Sequence, residues 1–396
     1  MRVRLFVVPA LLVAGGAARA RAQISVDARL GGARDALAWD DAAEDRLAAA
    51  GSLDAEYRFA AGRAALSYAL DAATYSTPGD WSTLRNDLVG TYRTDLGASG
   101  RVRILFDAGA TWTRNGDAWA AAGYRALGGG VGAEYRPSGG VTLRVGYGVA
   151  ARDVSGVPEL DQVEQGGFVG ALVNLQTRTT LVGEIRLGGK SYAGAWLPVE
   201  PASPPVSGRG HASRGMGPTL RPPRLTAVRD GEHAGRVDWH VRLAQSLADR
   251  TGLSVQYSAR HTFGEVPPVL VTTPAHFFDD GVYDDPFASD ARGVMATLKQ
   301  VFEGAGVVQT WFGWQRRDYR ATPALDLDGR ARPDGALRED RLWRAGARWN
   351  VPLFPERTGP WALDLDLGYA FTRHRSSDAF YNYTSHAVTL ALSIAY

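Results

Sequence analysis

Between Trp361 and Phe371 large apolar residues alternate with carboxylates and small residues. Trp361, Leu363, Leu365, Leu367, Tyr369 and Phe371 fall on one face of an extended strand, with Asp364 and Asp366 on the other. Successive side chains of a strand point to opposite faces, so this segment needs an apolar and an aqueous environment at once. Carboxylates at every second position would be very costly in a dry sandwich core. The pattern recurs along the chain. Val102, Ile104, Phe106, Ala108, Ala110 and Trp112 stand opposite Arg103 and Asp107, and Val141, Leu143, Val145, Tyr147 and Val149 stand opposite Arg144. Val237, Trp239, Val241 and Leu243 oppose Asp238, His240 and Arg242, and the last residues put Val388, Leu390, Leu392, Ile394 and Tyr396 on one face.

The N-terminus carries an export signal. Residues 1–4 form a basic start, Leu5 to Ala14 an apolar run, and Ala20-Arg-Ala22 a small-x-small cleavage site, so residues 1–22 read as a signal peptide. Arg2 and Arg4 are separated, which favours the general secretory route over the twin-arginine route. After residue 22 no apolar run approaches the roughly 18 residues of a spanning helix. Entry into a membrane would therefore have to be by strands. A bilayer offers no water to unpaired backbone groups, so strands can cross it only as a closed ring.

About 16 alternating segments can be counted, beginning near residues 24, 47, 64, 86, 101, 123, 140, 163, 179, 234, 252, 292, 306, 339, 360 and 382. The predicted fold is all-β, a single closed antiparallel transmembrane β-barrel over residues 23–396, with 14 or 18 strands as alternatives. Connections alternate as well. Short turns near 60–63, 97–100, 136–140, 176–178, 248–252, 303–306 and 354–360 separate longer links near 33–46, 76–85, 114–122, 153–162, 194–233, 265–291, 320–338 and 375–381. Short turns on one rim and long loops on the other match the periplasmic and extracellular sides of bacterial barrels. The aromatic residues Tyr57, Phe59, Trp112, Tyr135, Tyr147, Trp314, Trp343, Trp349, Trp361 and Tyr396 lie towards the ends of the apolar faces, as two girdles would. A secreted soluble propeller would instead need polar outer faces.

The chain resembles bacterial outer-membrane β-barrels of the porin type over essentially all of residues 23–396. The most specific motif is the C-terminal strand Val388-x-Leu390-x-Leu392-x-Ile394-x-Tyr396, similar to the assembly signal of these barrels, although Phe is commoner than Tyr at its end. The resemblance implies an outer-membrane location, the barrel assembly machinery, outer-membrane lipid and lipopolysaccharide as partners, and no cofactor. Oligomeric state is left open.

On this parity the early strands and strand 15 contribute Asp27, Asp54, Glu56, Asp71, Asp87, Asp95, Asp107, Asp364 and Asp366 to one lumen wall. Strands 7 to 14 contribute Arg144, Arg186, Lys190, Arg236, Arg242, Arg260, Lys299, Arg317, Arg344 and Arg348 to the other. Opposed walls of fixed charge create a transverse field that favours small polar solutes. Arg29, Arg58, Arg93 and Arg103 interrupt the acidic wall, and Glu134, Glu184, Asp238 and Asp340 the basic one. Two expectations follow: a porin-like channel for passive passage, or a structural or surface-interaction barrel whose lumen is filled by mutually neutralising pairs.

Composition narrows the rest. Lys and Arg number 44 against 42 Asp and Glu, so a nucleic-acid partner is not expected. There is no Cys, which excludes disulfides, thiolate metal sites and a cysteine nucleophile. Lys occurs only at Lys190 and Lys299, a bias towards Arg that genome composition explains. The long 194–233 link carries Arg209, His211, Arg214, Arg221, Arg224 and Arg229, suited to a constriction, a mouth cap or lipopolysaccharide phosphates, or to a plain surface loop. Asp279, Asp280, Asp284 and Asp285 are weak calcium-ligand candidates without the spacing of a known calcium loop. Leu187-Gly-Gly-Lys-Ser191 lacks the first glycine of a phosphate-binding loop, and Gly128-Gly-Gly-Val-Gly132 lacks dinucleotide spacing. No enzyme is expected. Lipid hydrolysis is the distant alternative, because His261 and His386 face outward but no serine follows His386 two residues on.

Overall fold

The computed structural model describes residues 23–39, 43–59, 63–75, 82–97, 99–116, 123–155, 161–192, 233–264, 285–326, 330–354 and 361–395. The expected signal peptide, the links 194–232 and 265–284, and Tyr396 lie outside the described residues.

Sixteen strands follow one another: β1 (Gln23–Trp39), β2 (Ala43–Phe59), β3 (Ala64–Tyr75), β4 (Thr83–Leu96), β5 (Val102–Asn115), β6 (Tyr124–Ser138), β7 (Val141–Val154) and β8 (Gln162–Leu175). The second half is β9 (Thr179–Tyr192), β10 (His233–Ala248), β11 (Thr251–Gly264), β12 (Ser289–Phe302), β13 (Gly306–Pro323), β14 (Leu337–Pro352), β15 (Ala362–Ser376) and β16 (Tyr383–Ala395). Each pairs antiparallel with its sequence neighbours, and β1 pairs with β16 from Asp27↔Ala395 to Trp39↔Tyr383, so the barrel is closed. Every strand begins within four residues of its expected start.

Register fixes the two faces. Between β13 and β14 the pairs Trp314↔Trp343, Phe312↔Ala345 and Val308↔Trp349 share the outer face, while Gly313↔Arg344, Trp311↔Gly346 and Gln309↔Arg348 share the inner one. On β16, Val388, Leu390, Leu392 and Ile394 are exposed on the outer face. Trp361 and Phe371 bracket the outer face of β15, ten residues apart. At about 3.3 Å per residue and a tilt near 40°, they stand about 25 Å apart along the barrel axis, the height of a hydrocarbon belt. A ring of 16 strands spaced about 4.8 Å with that tilt is about 30 Å across between backbones, the size class that leaves an aqueous channel.

One expected connection is much shorter. β1 and β2 stay paired out to Ala38↔Ala43, so their link is only residues 40–42 and not 33–46. Alanines dominate this hairpin, and Asp40, Asp41, Glu44 and Asp45 at its tip interrupt the apolar alternation that marks a strand in sequence. Backbone pairing needs no such alternation, and strands of a barrel extend beyond the bilayer where both faces are wet.

Glycine has a defined use on the inner wall. A Cβ on Gly346 would collide with the Trp311 ring, which lies across it, and with the Tyr369 carbonyl. Gly346→Val is therefore expected to cost about 1–3 kcal/mol through overpacking. The check is the temperature at which the folded, fast-migrating form is lost on semi-native gels; an unchanged temperature would show that the ring moves aside freely.

Candidate functional site in the barrel lumen

The inner face of β1 to β5 carries a carboxylate cluster. Asp27 and Asp54 are direct cross-strand partners, Ala69 separates Asp54 from Asp87 in the next register, and Asp71 lies opposite Ser52 on one side and Arg85 on the other. Arginines interleave: Arg29 pairs with Asp27 at 3.4 Å, Arg85 with Asp87 at 2.8 Å, Arg103 with Asp95 at 2.8 Å, and Arg58 with Glu56. The Thr111 hydroxyl donates to Asp87 at 2.5 Å. Among the described residues Asp54, Asp71, Asp107 and Asp364 form no ion pair.

The opposite wall is interleaved too. Arg144 and Arg186 share Glu184, at 3.4 and 2.5 Å. Arg236 bridges Glu164 at 3.1 Å and Asp238 at 2.9 Å, and Arg260 reaches Asp238 at 2.8 Å. Arg317 donates to Gln315 at 3.1 Å. Arg348 donates to Asp366 at 3.0 Å, with Asn350 on the same oxygen at 3.2 Å, so the two expected walls meet at the β14–β15 boundary. Arg242, Lys299 and Arg344 form no ion pair among the described residues. The sequence parity put each of these residues on the inner face; which were already neutralised could not be read from it, since i, i+2 and cross-strand partners compete for the same arginine.

Lys190 corrects the expectation of an accessible basic wall. Its side chain is 2% exposed and bonds Asp285, itself 4% exposed, at 2.8 Å. The Tyr192 hydroxyl also donates to Asp285, as does the Phe287 N–H at 3.0 Å. Phe287 is fully buried with the Arg236 guanidinium over its ring. Residues 285–288 thus run along the inner wall of β9 and β10, although they precede β12. Asp285 is a docked counter-ion to Lys190; Asp279, Asp280 and Asp284 lie outside the described residues. Among the described residues no group of three or more acidic or histidine side chains could hold a metal.

A second knot stands at the same long-loop rim. Asp340 takes Arg338 at 2.5 Å, the Ser376 hydroxyl at 2.6 Å and His374 Nε2 at 3.2 Å, all on the inner face. Arg338 lies over the rings of Tyr319 and Tyr381, the latter from a 3-10 turn, Ala379–Tyr381, tucked beside the wall. Burial pushes the Tyr381 hydroxyl up to about 12 against the opposing Arg338 charge, so it stays neutral.

Between these features the wall of β5 to β9 is hollowed into a recess of about 740 Å³. Its floor includes Gly128, Gly130, Gly148, Gly166 and Gly188, and Asp107, Glu164, Arg144, Arg186 and Arg236 surround it. Phe168 lies flat where a Cβ on Gly146 would stand. Glycines of three further strands join the run 128–132 on one face through register.

On the outer face, His386 Nδ1 is 2.9 Å from the Tyr369 hydroxyl, and His261 lies 3.4 Å from Asp290. Among the described residues Ser191 Oγ and His233 Nδ1 stand 2.8 Å apart across β9 and β10, 42 residues apart in sequence and so invisible to local motifs.

No family model and no curated protein matches the chain. Among solved structures it is similar to Pseudomonas aeruginosa OpdQ at 10% identity and a TM-score of 0.48, covering 95% of this chain and 98% of that one. It is similar also to Pseudomonas aeruginosa OpdO, at 12% identity, TM-score 0.43 and coverage of 95% and 97%, and to Pseudomonas aeruginosa OprD, at 7%, 0.44, 94% and 95%.

Docking of residues 285–288 gives a prediction. Asp285→Ala leaves Lys190 buried and unpaired, which is expected to cost about 3 kcal/mol. The first sign should be faster protease cleavage at residues 285–288. Burial works to raise the Asp285 pKa, but Lys190, the Tyr192 hydroxyl and the Phe287 N–H outweigh it and hold the carboxyl below its ordinary value. A depressed carboxyl contributes stability above the unfolded-state pKa and loses it as pH falls through the folded value. Protection of the segment should therefore persist at neutral and mildly acidic pH and disappear only in strong acid.

Proposed function

We propose that this chain is an outer-membrane channel for the passive passage of small polar solutes. The observation that carries the reading is the pairing of a closed 16-strand ring, with large apolar residues exposed on its outer face, with an inner face that carries acidic and basic side chains left partly unpaired. β2 and β10 are half a ring apart. Asp54 stands five residues from the short-turn end of β2, and Arg242 six residues from that end of β10. Arg242 and Lys299 on β10 and β12 and Asp54, Asp71 and Asp107 on β2, β3 and β5 supply the transverse field, while Arg344 and Asp364 lie on adjacent strands where the two arcs meet; the glycine-floored recess supplies room beside it. Large apolar residues exposed around the ring support a lipid environment, and long loops at one rim support the outer-membrane orientation.

The test is conductance of the purified protein in a planar bilayer. Stepwise openings are expected, with an ion selectivity set by the unpaired charges. Replacing Arg242, Lys299 and Arg344 with Gln should shift permeability towards cations a few-fold, and replacing Asp54, Asp71 and Asp107 with Asn should shift it the other way. Absence of openings from a folded barrel would favour the plugged, surface-interaction reading, which the buried knots around Asp285 and Asp340 support. The Ser191–His233 contact is the one observation that favours lipid hydrolysis. Fatty-acid release from phospholipid vesicles that Ser191→Ala abolishes would replace the channel reading; none is expected, because His233 has no orienting acid among the described residues.

A further inference from the structure

The outer face between β12 and β15 carries a feature that channel function does not use. Arg292 is the cross-strand partner of Arg316, Arg316 of Arg341, and Arg341 of Arg375. Four guanidinium side chains thus stand side by side at one level, on the outside of the barrel. One step towards the bilayer, the register runs Val294, Trp314, Trp343 and Arg373; one step the other way, it runs Asp290, Asp318 and Glu339. The arginine row lies about 7 Å along the strands beyond the tryptophan pair, at the long-loop rim, and spans about 14 Å across three strand spacings.

Like charges placed directly opposite one another on a sheet destabilise it. The carboxylate level relieves part of this. Arg316 pairs with Asp318 at 3.0 Å and Glu339 at 3.2 Å, Arg341 pairs with Glu339 at 2.9 Å, and Arg320 pairs with Asp290 at 3.3 Å. Arg292, Arg373 and Arg375 are exposed and form no ion pair among the described residues. The patch sets six arginines against three carboxylates, beside aromatic residues that mark the edge of the hydrocarbon. Arginine presents a planar fork that binds phosphate oxygens in pairs, and its stem can lie along apolar surface.

We propose that this face binds the phosphorylated headgroup of lipopolysaccharide. Arg292, Arg341 and Arg375 would take the phosphates, and Trp314 and Trp343 would pack against the start of the acyl chains. The proposal rests on the outer-membrane orientation argued above, which turns the long-loop rim to the leaflet that holds this lipid. It does not depend on whether the lumen conducts. A second copy meeting this face symmetrically would add like charge to like, whereas an anionic lipid removes the repulsion. Arg316 and Arg341 sit out of phase with the inward-facing Arg317, Arg344 and Arg348 of the same strands, and only register aligns them with Arg292 and Arg375.

The test uses the full-length protein, delipidated in neutral detergent, with a triple variant Arg292→Gln, Arg373→Gln, Arg375→Gln. None of the three holds an ion pair among the described residues, so the barrel should fold, as gel mobility before and after heating will verify. Binding is measured for bis-phosphorylated lipopolysaccharide, the same lipid after enzymatic dephosphorylation, and phosphatidylglycerol in matched micelles. The wild type is expected to bind the phosphorylated glycolipid about tenfold or more tightly than the dephosphorylated form, and the variant to lose that preference. A lumen control, Arg242→Gln with Arg344→Gln, should keep it. Equal binding by wild type and folded variant would overturn the proposal, and so would a loss equally large in the lumen control. Preference for phosphatidylglycerol would overturn the choice of ligand. Loss of lipopolysaccharide binding with conductance intact tests this site alone, whereas absent conductance with binding intact counts only against the channel.

Discussion

The pairing of β1 with β16 is the constraint on which everything else depends. Without it the sheet would present two free edges, each a row of backbone donors and acceptors that hydrocarbon cannot satisfy. With it, each of the 16 strands has two partners, and the period of two acquires a fixed meaning: one face is outside everywhere and the other inside everywhere. The C-terminal strand contributes the seam with an outer row of Val388, Leu390, Leu392 and Ile394, so the residues that close the ring are also among its most lipid-compatible.

Closure also governs the chemistry of the interior. Strand register sets neighbours on one curved wall, so Arg348 meets Asp366 across the β14–β15 pair and Arg144 reaches Glu184 on a strand two places away. Partial neutralisation follows, and among the described residues Arg242, Lys299 and Arg344 stay without an ion pair on β10, β12 and β14, and Asp54, Asp71, Asp107 and Asp364 on β2, β3, β5 and β15. Glycines at inward positions deepen one sector, because a missing side chain on several adjacent strands removes a layer of wall. Inward docking of residues 285–288 and of the 379–381 turn narrows the long-loop end, each held by a buried ion pair or ring-stacked arginine.

Much of this was legible from the chain. Strand number, strand starts and the face of residues such as Asp364, Arg242 and Trp349 follow from a period of two, since a strand has no other way to serve two solvents. The β1–β2 link was misjudged because alanine and four acidic residues mask the period where both faces are wet. Lys190 was placed on the correct face but with the wrong accessibility, because the segment that covers it arrives from another part of the chain.

The sequence by itself determined the class of the molecule: a chain of strands that must divide apolar from polar surroundings, with most of the charge on one face. Only the tertiary structure decided which charges meet. Parity assigns a side chain to a face, but register assigns it a neighbour, and a shift of two residues would preserve every face while changing every pair. The row of Arg292, Arg316, Arg341 and Arg375, the glycine-floored recess and the Lys190–Asp285 lock are all products of register and inward docking, settled by backbone hydrogen bonds between segments that local composition cannot align.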